Sequence, residues 1–160
     1  MNTDLHRVDA CSARPISQAR ILVVDDEPAA RAAIVRVLDS LGYQAHEAAS
    51  GSQALARLSA LPYDLMLFDL CMPGIDGGEA MRQVQEGHPD LAVIVLTARA
   101  TLGSAILAVQ AGAADYVLMP CSIQDLKATI SRALHRRRGR RRRQHLIHVF
   151  EETLAALRTG

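Results

Sequence analysis

The stretch ILVVDDEPAAR, residues 21–31, decides the fold. Ile21 to Val24 form an aliphatic run too short for a helix and without polar interruption, which is how a strand covered on both faces reads. Asp25, Asp26 and Glu27 end the run, and Pro28 opens a helix, since a first helical turn has no intrahelical use for the N–H that proline lacks. Ala30, Ile34, Val37, Leu38 and Leu41 then recur along one helical face until Gly42 stops it. A strand, an acidic turn and a helix make one crossover unit of a parallel sheet.

The alternation repeats along the chain. Further strands are expected at Gln44 to Ala48, Leu65 to Phe68, Ala92 to Leu96 and Ala114 to Leu118. Helices are expected from about Ser52 to Leu61, halted by Pro62, from Gly77 to Glu86, ended by Gly87 with Pro89 beyond, and from Leu102 to Ala111, closed by Gly112. A fifth begins at Ser122, whose hydroxyl caps it with Asp125 in the first turn. The fold class is therefore α/β: a doubly wound five-stranded parallel sheet, with a C-terminal helical extension.

Three segments are expected. Residues 1–19, without periodicity and holding Ser12, Pro15 and Ser17, read as a mobile arm. Residues 20–136 form the α/β domain. Residues 137–160 hold most of the run RRRGRRRR, Arg136 to Arg143, and then a short amphipathic helix marked by Ile147, Phe150, Leu154 and Leu157. Net charge divides the same way: residues 1–135 carry fifteen acids against ten Lys or Arg, whereas 136–160 carry eight Arg against Glu151 and Glu152. The arginines suit a solvated helix, an acidic partner, or nonspecific contact with nucleic acid or anionic lipid. No helix-turn-helix, zinc finger or stacking motif accompanies them, so specific DNA binding is not expected. The longest apolar run, Leu91 to Leu96, is far short of a membrane span. With no signal-like start, and with Cys11, Cys71 and Cys121 too few and too far apart for a disulfide framework, a cytoplasmic location and reduced thiols are expected.

Chemistry in an open parallel sheet collects at the carboxyl ends of the strands. There the first strand brings Asp25, Asp26 and Glu27, the third Asp69 and the fourth Thr97. Carboxylates converging in a partly desolvated cleft repel one another and call for a hard divalent cation; an all-oxygen set suits Mg2+. Beside such a cation, Asp69 is placed to attack a phosphoryl group and form an acyl phosphate, Asp25 and Asp26 to hold the metal, and the Thr97 hydroxyl to bond a phosphoryl oxygen.

ILVVDDEPAAR at 21–31, LMLFDLCMPGIDG at 65–77, VIVLTA at 93–98 and GAADYVLMP at 112–120 together resemble the receiver domain of bacterial two-component response regulators, over roughly residues 19–136. The resemblance implies a flavodoxin-like strand order and Mg2+-dependent phosphorylation of Asp69 by a sensor histidine kinase or phosphotransfer protein. Asp25 and Asp26 resemble the acidic pair, with the Cys71 backbone carbonyl completing the metal shell; Thr97 is the switch hydroxyl and Tyr116 the switch aromatic. It also implies a phosphorylation-driven shift of the face built from the fourth helix, fifth strand and fifth helix, one place where a homodimer could form. The C-terminal helix is another, because its apolar face is too short to be stable alone in water and self-association would bury it; it reads equally as the start of a linker to an output domain. Such a domain is a phospho-accepting signalling module rather than an enzyme, catalysing at most its own phosphorylation and dephosphorylation. One position departs: Met119 stands before Pro120 where the family carries a lysine, and the chain's single lysine, Lys127, is placed to face solvent. Arg99, two residues past Thr97, is placed to lend a positive charge at the rim. The alternative is a pseudo-receiver, an interaction or dimerisation module with weak or no phosphorylation. An aspartate-nucleophile phosphatase fits less well, because its DxD motif would belong at the end of the first strand.

Overall fold

The computed structural model describes residues 14–72 and 77–158. Its elements are β1 (Arg20–Val24), α1 (Pro28–Ser40), β2 (Gln44–Ala48), α2 (Gly51–Ala60), β3 (Leu65–Asp69), α3 (Gly77–Gly87), β4 (Ala92–Thr97), α4 (Leu102–Gln110), β5 (Asp115–Leu118) and α5 (Ile123–Arg158). All strand pairs are parallel, in the order β2-β1-β3-β4-β5. This is the expected doubly wound sheet, with boundaries within a residue or two of those read from the sequence.

The twofold period of the strands sorts their side chains into two cores. Ile21 and Val23 point with Leu65, Leu67 and Ile94 toward Ile34 and Leu38 of α1 and Leu126, Ile130 and Leu134 of α5. Leu22 and Val24 point with Met66, Phe68, Val93 and Val95 toward Leu58 of α2, Met81 and Val84 of α3 and Ala108 of α4. Central β4 is buried at every position and edge strand β2 only at Ala48, so the central strands are the ones that read as continuous aliphatic runs. Gly42 closes α1 at φ +92°, a conformation that costs other residues strain. Ser122 caps α5 as expected, its Oγ accepting the Asp125 N–H at 3.0 Å.

Two expectations are corrected. Residues 1–13 of the expected arm lie outside the described residues, but 14–19 pack onto the domain: Ile16–Gln18 form a 3-10 turn, Ile16 lies against the core and Ala19 is buried. The Arg run and the terminal helix are not separate pieces, because α5 continues through both as one helix of 36 residues. Arginine is a good helix former, the segment contains no proline, and Gly139 costs only about 1 kcal/mol relative to alanine. The buried first half of α5 supplies the nucleus, so extension adds a hydrogen bond per residue without a new nucleation cost. Among the described residues no helix is long and apolar enough to cross a membrane.

Candidate functional site

The register brings the site together. Val24 pairs with Phe68 and Asp69 with Leu96, so Asp25, Asp69 and Thr97 leave three neighbouring strands at one level. Thr97 pairs with Leu118, which sets Met119 one residue beyond it on β5. One carboxylate oxygen each from Asp25, Asp26 and Asp69 lies within 4.8 Å of the others. Asp26 is exposed; the other two are half-buried. No Lys or Arg side chain pairs with any of the three among the described residues.

Two short turns hold the acids. Asp25 Oδ1 accepts the Glu27 N–H at 2.9 Å, and Asp69 Oδ1 accepts the Cys71 N–H at 2.9 Å. Arg31, one turn into α1, donates from Nη1 to the Asp25 backbone carbonyl at 2.8 Å and so fixes the loop rather than neutralising its carboxylate. Burial pushes the Asp25 carboxyl above its usual range; the Glu27 N–H opposes that, and Asp69, Asp26 and Glu27 add to it. Burial also raises Asp69, against the Cys71 N–H and with the charge of Asp26. Hard oxygen donors converging without a counter-charge fit a small divalent cation such as Mg2+.

Thr97 is 1% exposed. Its Oγ1 donates to the Arg99 carbonyl at 3.1 Å, accepts the Arg99 N–H at 3.1 Å and lies 3.4 Å from Cys71 Sγ. Cys71 itself is exposed, and Cys71 and Cys121 are free thiols. Tyr116 is half-buried, and its hydroxyl lies 2.7 Å from Ser104 Oγ. Ser104 is the return half of a capping box with Thr101, so Tyr116 is tied to the first turn of α4. Sequence reasoning missed Ser104 and Thr101; a Thr-x-x-Ser spacing before an apolar helix is the signal, weaker than the usual Glu or Gln at the third position. Met119 is half-buried and packs against the core, its N–H on the Thr97 carbonyl at 2.8 Å and its Sδ 3.6 Å from Cys121 Sγ. Arg99 is exposed, and Lys127 faces solvent as expected.

Residues 21–131 match the response regulator receiver domain. Response regulator MprA of Mycobacterium avium is 39% identical over 118 residues, which cover 74% of this chain and 51% of that protein. DNA-binding transcriptional regulator NtrC of Salmonella typhimurium is 36% identical over 114 residues, 71% of this chain and 24% of that protein. The chain thus spans between about a quarter and about half of the length of these relatives. Among solved structures, a CheY-like receiver domain protein from Methanospirillum hungatei superposes with a TM-score of 0.73 at 29% identity, covering 78% of this chain and 99% of that one. Response regulator TrrA of Thermotoga maritima, crystallised in complex with Mg2+ and BeF, superposes with a TM-score of 0.66 at 34% identity, covering 72% of this chain and 99% of that one. Sheet order, acidic strand ends and these matches agree: the chain belongs to the response regulator receiver domain family.

Proposed function

We propose that this chain accepts a phosphoryl group on Asp69 from a sensor histidine kinase or phosphotransfer protein and passes the signal on through protein contacts. The observation that carries this reading is the convergence of three carboxylates within 4.8 Å, from two adjacent strands, with no Lys or Arg side chain paired with them among the described residues. Asp25, Asp26, Asp69 and the Cys71 backbone carbonyl would hold Mg2+. Held there, the ion would supply positive charge against the oxygens of a phosphoryl group.

The remaining steps belong to the chain. The Cys71 N–H holds Asp69 Oδ1, which leaves Oδ2 as the attacking atom. As the new O–P bond forms, the bond from phosphorus to the donor histidine nitrogen breaks, and its electron pair leaves with the imidazole. The Thr97 hydroxyl then exchanges its bond to the Arg99 carbonyl for one to a phosphoryl oxygen. Tyr116 gives up Ser104 and turns inward, which loosens the first turn of α4. Around that turn the surface is apolar, with Leu102, Ile106, Leu107 and Val109 of α4, Leu118 of β5 and Ile123 of α5 exposed, as suits a face that binds a protein or a second copy. The Met119 side chain has no hydrogen-bond donor and carries no charge, so coupling falls to Thr97 and Tyr116.

Incubation with acetyl phosphate and Mg2+, followed by intact mass, tests the proposal. The expected result is a gain of one phosphoryl group, abolished by Asp69→Asn and by chelation. The packing of Met119 into the core favours a second reading, a pseudo-receiver whose surface acts without phosphorylation. Absence of labelling in the wild-type chain would select it.

A further inference from the structure

At the amino end of the sheet, away from the three carboxylates, a groove of about 550 Å³ lies between α5 and the starts of β4 and β5. Leu91, Val93 and Ala114 floor it, and Arg136, Gly139, Arg140 and Arg143 form its α5 wall, one helical face by their three- and four-residue spacing. No carboxylate lines the groove, and among the described residues none of these three guanidinium groups is paired with an acid. Gly139 widens the recess. It sits inside a helix, where glycine costs about 1 kcal/mol relative to alanine. Neither a positive φ nor a close neighbour calls for it, since a Cβ there would meet nothing within 4 Å. What its missing side chain preserves is room in the groove.

We infer that the groove binds a nucleoside polyphosphate, with the phosphates along the arginine wall and the base on the apolar floor. Arg136 to Arg143 spans about 10 Å of helix. Guanidinium forks pair with phosphate oxygens two bonds at a time and stack on planar rings. A lone carboxylate would answer one of the three arginines, whereas consecutive phosphates answer all of them. The opposite wall belongs to the last turn of α3 and the residues just beyond α4, the carbonyl ends of both helices, which disfavour phosphate. There Gln85 spends its Nε2 on the Gly112 carbonyl at 3.4 Å and keeps Oε1 for a ring amino group. The size of the groove suits one small molecule. A nucleic-acid backbone would instead draw equally on Arg141 and Arg142, which lie outside the groove.

Titration calorimetry of the full chain with ADP tests the inference. Chelator keeps the carboxylate end free of metal, and about 0.15 M salt screens loose contacts with a cationic surface. One site per chain is expected, unchanged in Asp69→Asn, with inorganic pyrophosphate binding at least tenfold more weakly. Arg140→Gln with Arg143→Gln should weaken ADP binding at least tenfold, and Arg141→Gln with Arg142→Gln, the same loss of charge outside the groove, less than twofold. Gly139→Leu keeps every charge and favours the helix, yet should weaken ADP binding at least tenfold by filling the recess, with the fold intact by circular dichroism. Absence of ADP binding overturns the inference, as does pyrophosphate binding as tightly as ADP. Equal losses from the two arginine pairs overturn it in favour of a general polyanion surface, and a folded Gly139→Leu chain with wild-type affinity shows that the groove is not the site.

Discussion

The two ends of the sheet treat charge in opposite ways. At the carboxyl end three carboxylates, two just past β1 and one at the end of β3, stand together with no guanidinium paired to them among the described residues. At the amino end the carboxylate of Asp64 is surrounded by cations and donors: the Arg20 N–H at 2.8 Å, Arg137 Nη1 at 3.0 Å and Arg14 Nε at 3.8 Å. Arg137 also donates from Nε to the Asp90 carbonyl at 2.6 Å, and Arg138 donates to the Arg14 carbonyl. Burial pulls the Arg137 guanidinium below its usual value while Asp64 and Asp90 hold it up. One end is therefore a finished structural joint, locking α5 to the strand starts. The other sets like charges side by side among the described residues, an arrangement that suits a divalent cation.

The largest effect is expected from breaking the joint. Arg137 is only 11% exposed at its side chain, and Arg137→Ala would leave Asp64 short of its strongest partner and the Asp90 carbonyl without its donor. A loss of about 2 to 3 kcal/mol in urea unfolding is expected, below the usual cost of breaking a fully buried pair because Asp64 keeps the Arg20 N–H. Hydrogen exchange should accelerate from Arg138 onward.

The opposite sign is expected at the other end. Asp69→Asn removes one of three like charges and should stabilise the metal-free protein at neutral pH by about 1 kcal/mol after solvent screening. The pH dependence follows from direction. A carboxyl raised in the folded state disfavours folding once ionised, so its contribution is most favourable below the unfolded value of 3.8, declines as pH rises through the raised folded value and stays constant above. Between about pH 4 and 7 in chelator, the wild type should therefore lose more stability than Asp69→Asn. Mg2+ should raise the melting temperature of the wild type and leave that of Asp25→Asn nearly unmoved, by thermal melts with and without the ion.

What the sequence disclosed follows the same division. The aliphatic runs of β1, β3 and β4 are long-range statements made locally, because a strand buried on both faces has only one kind of residue to use. Asp25, Asp26, Asp69 and Thr97 are legible because strand ends in a parallel sheet converge by topology. The amino-end joint was not legible. Nothing distinguishes Arg137 from its neighbours in RRRGRRRR until the helical phase of α5 turns it toward Asp64, and that phase is set by the packing of Leu126, Ile130 and Leu134 on the preceding turns. Residues 14–19 read as an arm because their order comes from Ile16 meeting the core and from Arg14 meeting α5 and Asp64, contacts with no local pattern. The continuity of α5 was hidden by a change of composition at Arg136 that is a change of surroundings, not of backbone.

The smallest effect is expected at Tyr116, whose hydroxyl ties β5 to the first turn of α4. Tyr116→Phe removes the 2.7 Å contact with Ser104 but orphans nothing, because Ser104 Oγ keeps the Thr101 carbonyl at 2.9 Å and the Thr101 N–H at 3.0 Å. A cost of about 0.5 kcal/mol is expected, at the low end for a hydrogen bond whose partner stays satisfied. The initial rate of acetyl phosphate labelling should be unchanged, since Tyr116 bonds neither Asp69 nor its turn. The difference should appear in α4. In the unphosphorylated wild type its first turn is held by the capping box and by Tyr116 together, and in the variant by the capping box alone, so amide exchange at Gly103 to Ala105 should be faster before labelling and respond less to it. A variant whose exchange matched the wild type in both states would leave Tyr116 as a packing residue and place the coupling on Thr97 alone.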